Sequence, residues 1–154
     1  MFNKQQRDVI GWREWLALPD LGVSAIKAKI DTGARSSAIH AFDVHHFGDE
    51  DERMVEFKMH PWQRNSTETV TATAKVLDQR EVRNSGGHSE ERIVIVTTAK
   101  LRGHEWEIEL TLTNRDVMGF RMLLGRAAVR EKFLVHPGKS YLLSDRPKLA
   151  LRHL

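Results

Sequence analysis

The stretch Ile30-Asp31-Thr32-Gly33-Ala34 places an acidic residue at the end of an apolar-alternating run, with Lys27-Ala28-Lys29 before it and Arg35-Ser36-Ser37-Ala38 after it. A carboxylate followed at once by a hydroxyl, a glycine and an alanine suits an acid displayed at a strand end on a tight turn. Asp and Gly are also preferred in turns wherever they fall, and for the triplet alone an ordinary β-turn is the better explanation. A functional interpretation therefore depends on what accompanies the triplet elsewhere in the chain.

A second stretch, Met122-Leu123-Leu124-Gly125-Arg126, places an apolar run directly before a glycine and an arginine. The residues that follow, 127–133, have the pattern of a short amphipathic helix. A strand end with Asp-Thr-Gly-Ala, a glycine-tipped hairpin and an apolar pair with Gly-Arg before a helix together resemble the retropepsin-like aspartic peptidases. The chain is similar to the bacterial RimB family in four stretches taken together: Gly11-Trp12-Arg13-Glu14-Trp15, Leu18-Pro19-Asp20-Leu21, residues 27–41 and residues 122–126.

This resemblance covers residues near 9 to 143 and implies a fold, an activity and a partner. The fold it implies is all-β: a retropepsin-like closed β-barrel with one short C-terminal helix and a flap-like hairpin. The activity it implies is that of an aspartic peptidase, although members are often labelled ATP-dependent zinc proteases. Members are also associated with RimK-type ATP-grasp ligases that add glutamate, so the resemblance implies such a ligase as a partner.

Length and composition narrow the classes of function. With 154 residues, the chain is long enough for one domain with a real core and short for two complete lobes. A net charge of +3 and a pI near 9.4 favour acidic partners, but the charge is mixed along the chain and no basic helix indicates nucleic-acid binding. The absence of cysteine excludes disulfides, thiolate nucleophiles and cysteine-based zinc sites.

The chain is expected to contain one folded domain. We predict a polar N-terminal segment at residues 1–8, the retropepsin-like domain at 9–143 and a charged C-terminal tail at 144–154. The opening residues form no apolar signal region, and no stretch approaches membrane-spanning length. A cytoplasmic location without membrane association is therefore expected.

Alternating and β-branched runs predict the strands. In chain order they cover residues 9–18, 23–30, 36–47, 53–60, 69–77, 79–83, 92–100, 105–113, 121–124 and 139–143, with a helix over 126–134. Between two of these strands, the polar loop 84–91 predicts a mobile hairpin. Gly86 and Gly87 would form the hinge or tip of a lid that excludes water when substrate binds.

Hydrolysis of a peptide bond without a covalent intermediate needs an activated water and an activated carbonyl at the same moment. Two carboxylates that share one proton supply both, since the ionised one takes a proton from water and the protonated one hydrogen-bonds to the carbonyl oxygen. The chain contains one Asp-Thr-Gly turn, so Asp31 is half of such a site. We therefore expect a homodimer whose two-fold axis brings the two Asp31 side chains together.

The family pattern implies supporting roles for the neighbours of Asp31. Thr32 would bond across the dyad to the partner's loop, and Gly33 would let the backbone donate hydrogen bonds to the carboxylates. Ala34 would keep the turn small. Structural support of the turn would come from the second stretch, namely Leu124, Gly125 and Arg126.

Cations flank the acid, since Lys29 lies two residues before Asp31 and Arg35 four residues after it. Retroviral relatives have apolar or acidic residues at these positions. Together with further basic residues, the two cations would give the cleft a positive potential that concentrates a polyanionic peptide. The further basic residues are Lys27, Arg80, Arg83 and Arg92.

We therefore predict a preference for glutamate-rich or aspartate-rich segments, including glutamate tails added by a ligase. Ordinary solvated lysines and arginines explain the same pattern equally well. The residues expected to contact the peptide are Lys29, Ala34, Arg35, Gly86 and Gly87.

The zinc and ATP labels find no support in the sequence. No His-Glu-x-x-His spacing is present, and His104-Glu105 lacks the second histidine. The adjacent His45 and His46 would face opposite sides of a strand. No glycine-rich phosphate loop ends in Lys-Ser/Thr, so any ATP dependence would belong to a partner. We therefore expect neither a metal nor another cofactor.

A binding module is the alternative to an enzyme. A non-catalytic β-barrel could keep the fold and use its basic cleft to hold acidic peptide or a ligase. Cations beside a carboxylate favour its ionised form, whereas the dyad needs one of its two acids protonated. If the chain were active as a monomer, a second acid would be required, and Asp116 is one candidate.

Overall fold

The structure is a computed structural model that describes residues 7–62, 68–83, 86–87, 89–114 and 119–147. Within these ranges the strands are β1 Asp8–Gly11, β2 Arg13–Leu18, β3 Val23–Asp31, β4 Ser37–His40, β5 Phe42–Gly48, β6 Arg53–Met59, β7 Val70–Arg83, β8 Ser89–Leu101, β9 His104–Thr113, β10 Met122–Gly125 and β11 Phe133–His136. A 3₁₀ turn spans Pro19–Leu21, and the α-helix α1 spans Arg126–Val129. In the part of the chain described, no helix has the length and apolar character needed to cross a membrane.

Six of the strands close into a barrel. The order around it is β2-β3-β10-β4-β9-β8, and Ala17 of β2 pairs with Lys100 of β8 to complete the ring. The sheet continues beyond β8 through β7 and β6 to β5, while β1 forms a separate parallel pair with β11. The predicted all-β closed barrel is therefore confirmed.

Strand alternation builds the core of the barrel. Along β8 and β9, every second residue between Ile93 and Ala99 and between Ile108 and Leu112 is buried, as expected for strands with one face in the core. β10 differs, because all four of its residues, Met122–Gly125, are buried. This strand lies between β3 and β4, so the end of β3 is supported by a fully buried neighbour.

Several predicted strands have different boundaries in the structure. The strand predicted over 9–18 divides into β1 and β2, and the strand predicted over 36–47 divides into β4 and β5. The two strands predicted over 69–77 and 79–83 instead join as β7. A register shift after Val76 absorbs the extra residue, as in a β-bulge, so the strand continues into the hairpin.

The helix predicted over residues 126–134 is wrong beyond its first turn. α1 ends at Val129, and Glu131 then adopts a φ of 64°. Phe133–His136 instead forms β11, whose first residue is buried against Trp106 with ring centroids 5.3 Å apart. Pairing with β1 and burial of this phenyl ring outweigh a helical pattern too short to be stable by itself.

The strand predicted over residues 139–143 is also wrong, because a buried carboxylate binds this segment instead. Glu14 of β2 is 0% exposed and accepts hydrogen bonds of 2.8 to 3.2 Å from the N–H groups of residues 142–144. It also accepts from the Gly11 N–H and the Ser144 hydroxyl, both at 2.6 Å. The backbone of Lys139 and Tyr141 does bond to that of Trp12 and Arg13, at 2.8 and 3.0 Å, but from Leu142 onward the side chain takes the N–H groups and no regular ladder continues. We call this arrangement the Glu14 clasp.

Candidate active site

Asp31 is the last residue of β3 and lies between two neighbouring segments. In β10, Gly125 lies opposite Asp31 in parallel register, and Leu124 lies opposite Ile30. On the other side, the Trp12 carbonyl accepts a hydrogen bond of 2.8 Å from the Ile30 N–H. The half-buried Asp31 is therefore presented by the barrel wall itself.

The turn after β3 fixes one oxygen of the carboxylate. Asp31 Oδ1 accepts hydrogen bonds from the N–H groups of Gly33 at 3.0 Å and Ala34 at 3.2 Å. The lack of a side chain at Gly33 helps this approach, because a Cβ there would lie 3.2 Å from Asp31 Oδ1. Thr32 and Gly33 are exposed, so the tip of the turn faces solvent. An oriented carboxylate beside solvent can accept a proton from a water molecule.

The junction between β10 and α1 holds the same turn. The N–H groups of Arg126 and Ala127 donate to the carbonyls of Ala34 at 2.7 Å and Arg35 at 3.0 Å. The Arg126 guanidinium donates to the carbonyl of Thr32 at 3.1 Å. Two consecutive residues of this junction, Arg126 and Ala127, therefore fix three carbonyls of the turn.

Gly125 and Ser37 complete this packing. A Cβ at Gly125 would collide with the backbone of Ser36. The Gly125 N–H donates to the Ser37 hydroxyl at 3.0 Å, and Ser37 is 3% exposed. Sequence analysis missed this role of Ser37. The available signal was a small hydroxyl residue at the start of the alternating strand that follows the Asp31 turn.

The two lysines of β3 lie on the face that carries Asp31. Lys27 and Lys29 are half buried and alternate with buried neighbours, as the strand pattern predicts. The Lys27 Nζ lies 5.3 Å from the centre of the Phe120 ring. Of these two lysines, Lys29 is the nearer to Asp31 along the strand, since it lies two residues before it.

The arginines form a separate patch. Arg35 lines a cavity of about 520 Å³ beside the turn, and Arg80 of β7 and Arg92 of β8 line it too. Neither lysine of β3 belongs to this lining. The side chain of Arg83 lies outside the described residues. Among the named basic residues whose side chains are described, the three arginines thus share a cavity that the two lysines do not line.

β7 and β8 form the long hairpin that the sequence predicts. Their antiparallel register extends to the pair Arg83 and Ser89, so β8 begins within the predicted loop 84–91. Gly86 and Gly87 are exposed in this loop, and Gly87 has a φ of 82°, which favours glycine. That this hairpin acts as a lid over the site stays a prediction.

Two histidines are paired with acids at the surface. His46 Nε2 lies 2.9 Å from Glu91 Oε1, and His104 Nε2 lies 2.7 Å from Asp8 Oδ2. Across the described ranges, no three His, Cys, Asp or Glu side chains are grouped so that they could hold a metal ion. Asp116, the candidate second acid, lies outside the described residues.

The barrel and its Asp31 turn lie within the part of the chain that matches a known protein family. The sequence model of the RimB-like family, described as retropepsin-like aspartic endopeptidase RimB, matches residues 9–146. The chain belongs to the RimB-like family. The RimB-like match runs from β1 through the segment held by the Glu14 clasp, so it includes the Asp31 turn and the β10–α1 junction.

The fold of this RimB-like chain recurs in a solved structure. Lpg0085 of Legionella pneumophila, a protein of unknown function, matches with a TM-score of 0.71 over 88% of this chain and 98% of that protein. The two sequences are 23% identical, so the likeness shows the fold alone.

Curated relatives of the RimB-like chain are much longer proteins. Those from Shewanella pealeana and Shewanella halifaxensis are 47% identical over 146 residues, and one from Desulfotalea psychrophila is 43% identical over 145 residues. Each is named probable alpha-L-glutamate ligase. The matches cover 94% or 95% of this chain but 31% or 32% of the relatives, so the chain spans about a third of their length.

Proposed function

We propose that this chain is an aspartic endopeptidase in which the Asp31 carboxylate activates the water that attacks a peptide bond. The observation that carries the proposal is the Asp31 turn. It has a carboxylate at a strand end, oriented by two backbone N–H groups and held by the β10–α1 junction. Membership of a family described as retropepsin-like aspartic endopeptidases supports the same chemistry.

The catalytic unit would be two Asp31 side chains that share one proton across a homodimer. The ionised carboxylate takes a proton from the water, while the protonated one donates a hydrogen bond to the substrate carbonyl and polarises it. The first carboxylate then gives its proton to the leaving amine as the tetrahedral intermediate collapses. The exposed Thr32 and Gly33 are available to a partner subunit at the tip of the turn. The reaction requires neither a metal nor a nucleotide.

The proposed substrate is a glutamate-rich chain. Lys29, on the Asp31 face of β3, and Arg35, just beyond the turn, would contact its carboxylates. The name of the longer relatives supports this choice, because a ligase that adds glutamate and a peptidase that removes it would act on the same chain. We accordingly propose an ATP-grasp glutamate ligase as the partner and the cytoplasm as the location.

Replacing Asp31 tests the peptidase directly. A pool of peptides enriched in glutamate runs is incubated with the intact protein or with Asp31→Asn, and the products are identified by mass spectrometry. Asn keeps the size of the side chain but cannot share a proton, so the cleavage rate should fall by at least about 100-fold. Asp20→Asn is the matched control, because Asp20 is exposed in the 3₁₀ turn. This variant should cut at the rate of the intact protein. Equal cleavage by Asp31→Asn would refute the role of Asp31.

A non-catalytic module that binds acidic peptide or the ligase is the second candidate. The position of Lys29 on the face of Asp31 favours it, because a cation on this face can attract an acidic peptide whether or not the peptide is cut. Binding of acidic peptides without cleavage at any pH would support this module. Cleavage that depends on Asp31 would exclude it.

A further inference from the structure

The cavity beside the Asp31 turn is lined by arginines from three different parts of the chain. Arg35 follows the turn, Arg80 belongs to β7 and Arg92 to β8. Residues of β9 and α1 complete the walls. Guanidinium groups bind carboxylates and phosphates through paired N–H donors, so three of them around one cavity indicate an anion as its occupant. We call this the arginine cavity.

The positions of two of these arginines destabilise the β7–β8 hairpin. Arg80 and Arg92 stand directly opposite each other on neighbouring antiparallel strands, where like charges are destabilising. Asp78 relieves part of this repulsion by accepting a hydrogen bond of 2.6 Å from Arg80 Nε, and this bond lowers the pKa of the Asp78 carboxyl. The bond is made by Nε and not by the two terminal nitrogens of the guanidinium. An anion between the two arginines would offset the remaining repulsion.

The charge and shape of the arginine cavity favour a carboxylate over a phosphate. Glu107 and Glu109 also line it, and Asp78 binds Arg80, so the three arginines stand beside three carboxylates and leave no net positive excess. A single carboxylate would add one negative charge beside these groups, whereas a phosphate would add up to about two and would be repelled more strongly. Val94, Ala127 and Ala128 add apolar wall for the methylene groups of a glutamate side chain.

We propose that the arginine cavity receives the carboxylate of an acidic substrate side chain at a position removed from the bond that is cut. The inference rests on the proposed function for the identity of its ligand, a glutamate-rich chain. The Arg35 carbonyl is bonded to the Ala127 N–H, and both residues line the cavity, so the cavity and the Asp31 turn share a wall. An extended peptide advances by about 3.3–3.6 Å per residue, which lets a glutamate a few residues from the cut bond reach the cavity. The enzyme would thus select runs of acidic residues over single ones.

Binding measured without cleavage tests the arginine cavity. In the Asp31→Asn background, fluorescence anisotropy of a labelled glutamate-run peptide gives the Kd for the parent, Arg80→Gln and Arg92→Gln. Each arginine substitution should raise the Kd by at least about tenfold, because charge-assisted hydrogen bonds to a carboxylate are lost. Arg102→Gln is the matched control: Arg102 is exposed beyond the opposite end of β8 and is not part of the lining. At physiological salt its removal should change the Kd by less than about twofold.

Thermal unfolding separates lost binding from lost folding. Removal of one of two opposed charges should leave the Tm of Arg92→Gln unchanged or raise it. Unchanged affinity in Arg92→Gln would overturn the proposal, and so would lowered Tm values in both arginine variants together with lost binding. Equal affinity of the parent for a glutamine version of the peptide would overturn it too. Failure of the proposed function looks different, since the protein with intact Asp31 would then cut no peptide while the binding pattern persisted.

Discussion

Gly125 is the residue whose size decides whether the Asp31 turn keeps its place. Its missing side chain lets the backbone of Ser36 lie against β10, and a Cβ would collide with that backbone. We expect Gly125→Ala to lower the free energy of unfolding by roughly 1–3 kcal/mol, the usual cost of overpacking a filled site. Urea unfolding followed by tryptophan fluorescence measures this change.

Gly103→Ala provides the control for Gly125→Ala. Gly103 is exposed in the turn between β8 and β9, and a Cβ there would meet no heavy atom within 4 Å. The same chemical change should therefore alter stability by less than about 0.5 kcal/mol. Equal stabilities of the two variants would show that the close approach at Gly125 is not needed.

The contacts of the turn also show where sequence reasoning stops at the scale of residues. The strand-end carboxylate and its glycine were predictable because they lie within five consecutive residues, 30–34. The bond between Gly125 and Ser37 joins residues 88 positions apart. It exists because β10 and β4 are neighbours in the barrel, and no local pattern specifies that pairing.

Among the elements, the Glu14 clasp decides how the chain beyond β11 is held. Five donors reach one buried carboxylate, and an amide in its place has a single accepting oxygen and adds an NH₂ group among N–H donors. Glu14→Gln should therefore lower the free energy of unfolding by about 1–3 kcal/mol. It should also speed hydrogen exchange at the amides of residues 142–144, which mass spectrometry detects. Glu105→Gln, exposed on β9, should change neither quantity. Unaltered exchange in Glu14→Gln would contradict the clasp.

The elements that sequence analysis placed correctly are those whose own pattern matches their surroundings. β3, β8 and β9 alternate in sequence and have one face in the core, so period-two reasoning finds them. The predicted helix over 126–134 failed because β11 is defined by its pairing with β1, more than a hundred residues earlier. The predicted strand over 139–143 failed because the backbone pairing of Lys139 and Tyr141 stops where the Glu14 side chain takes the N–H groups of Leu142 and Leu143.

At the scale of the whole molecule, one acidic turn per chain makes the proposed site incomplete in a monomer. The exposed tip of the turn, Thr32 and Gly33, is where a second subunit would have to approach. Among proteins, a closed two-fold dimer is the commonest assembly, and it brings identical residues together across its axis. The dyad hypothesis therefore predicts that activity belongs to pairs of chains, and that each pair needs two intact Asp31 residues.

Mixing the intact protein with Asp31→Asn tests this prediction. If subunits exchange at random and a mixed dimer is inactive, an equal mixture should cut at about half the rate per intact chain, and a threefold excess of variant should reduce it to about a quarter. The measurement is the initial rate of cleavage of a glutamate-rich peptide at a fixed concentration of intact chain. Albumin added in place of the variant controls for total protein. A rate that the variant leaves unchanged would mean that one chain suffices, and a second acid within the same chain would then have to replace the partner's Asp31.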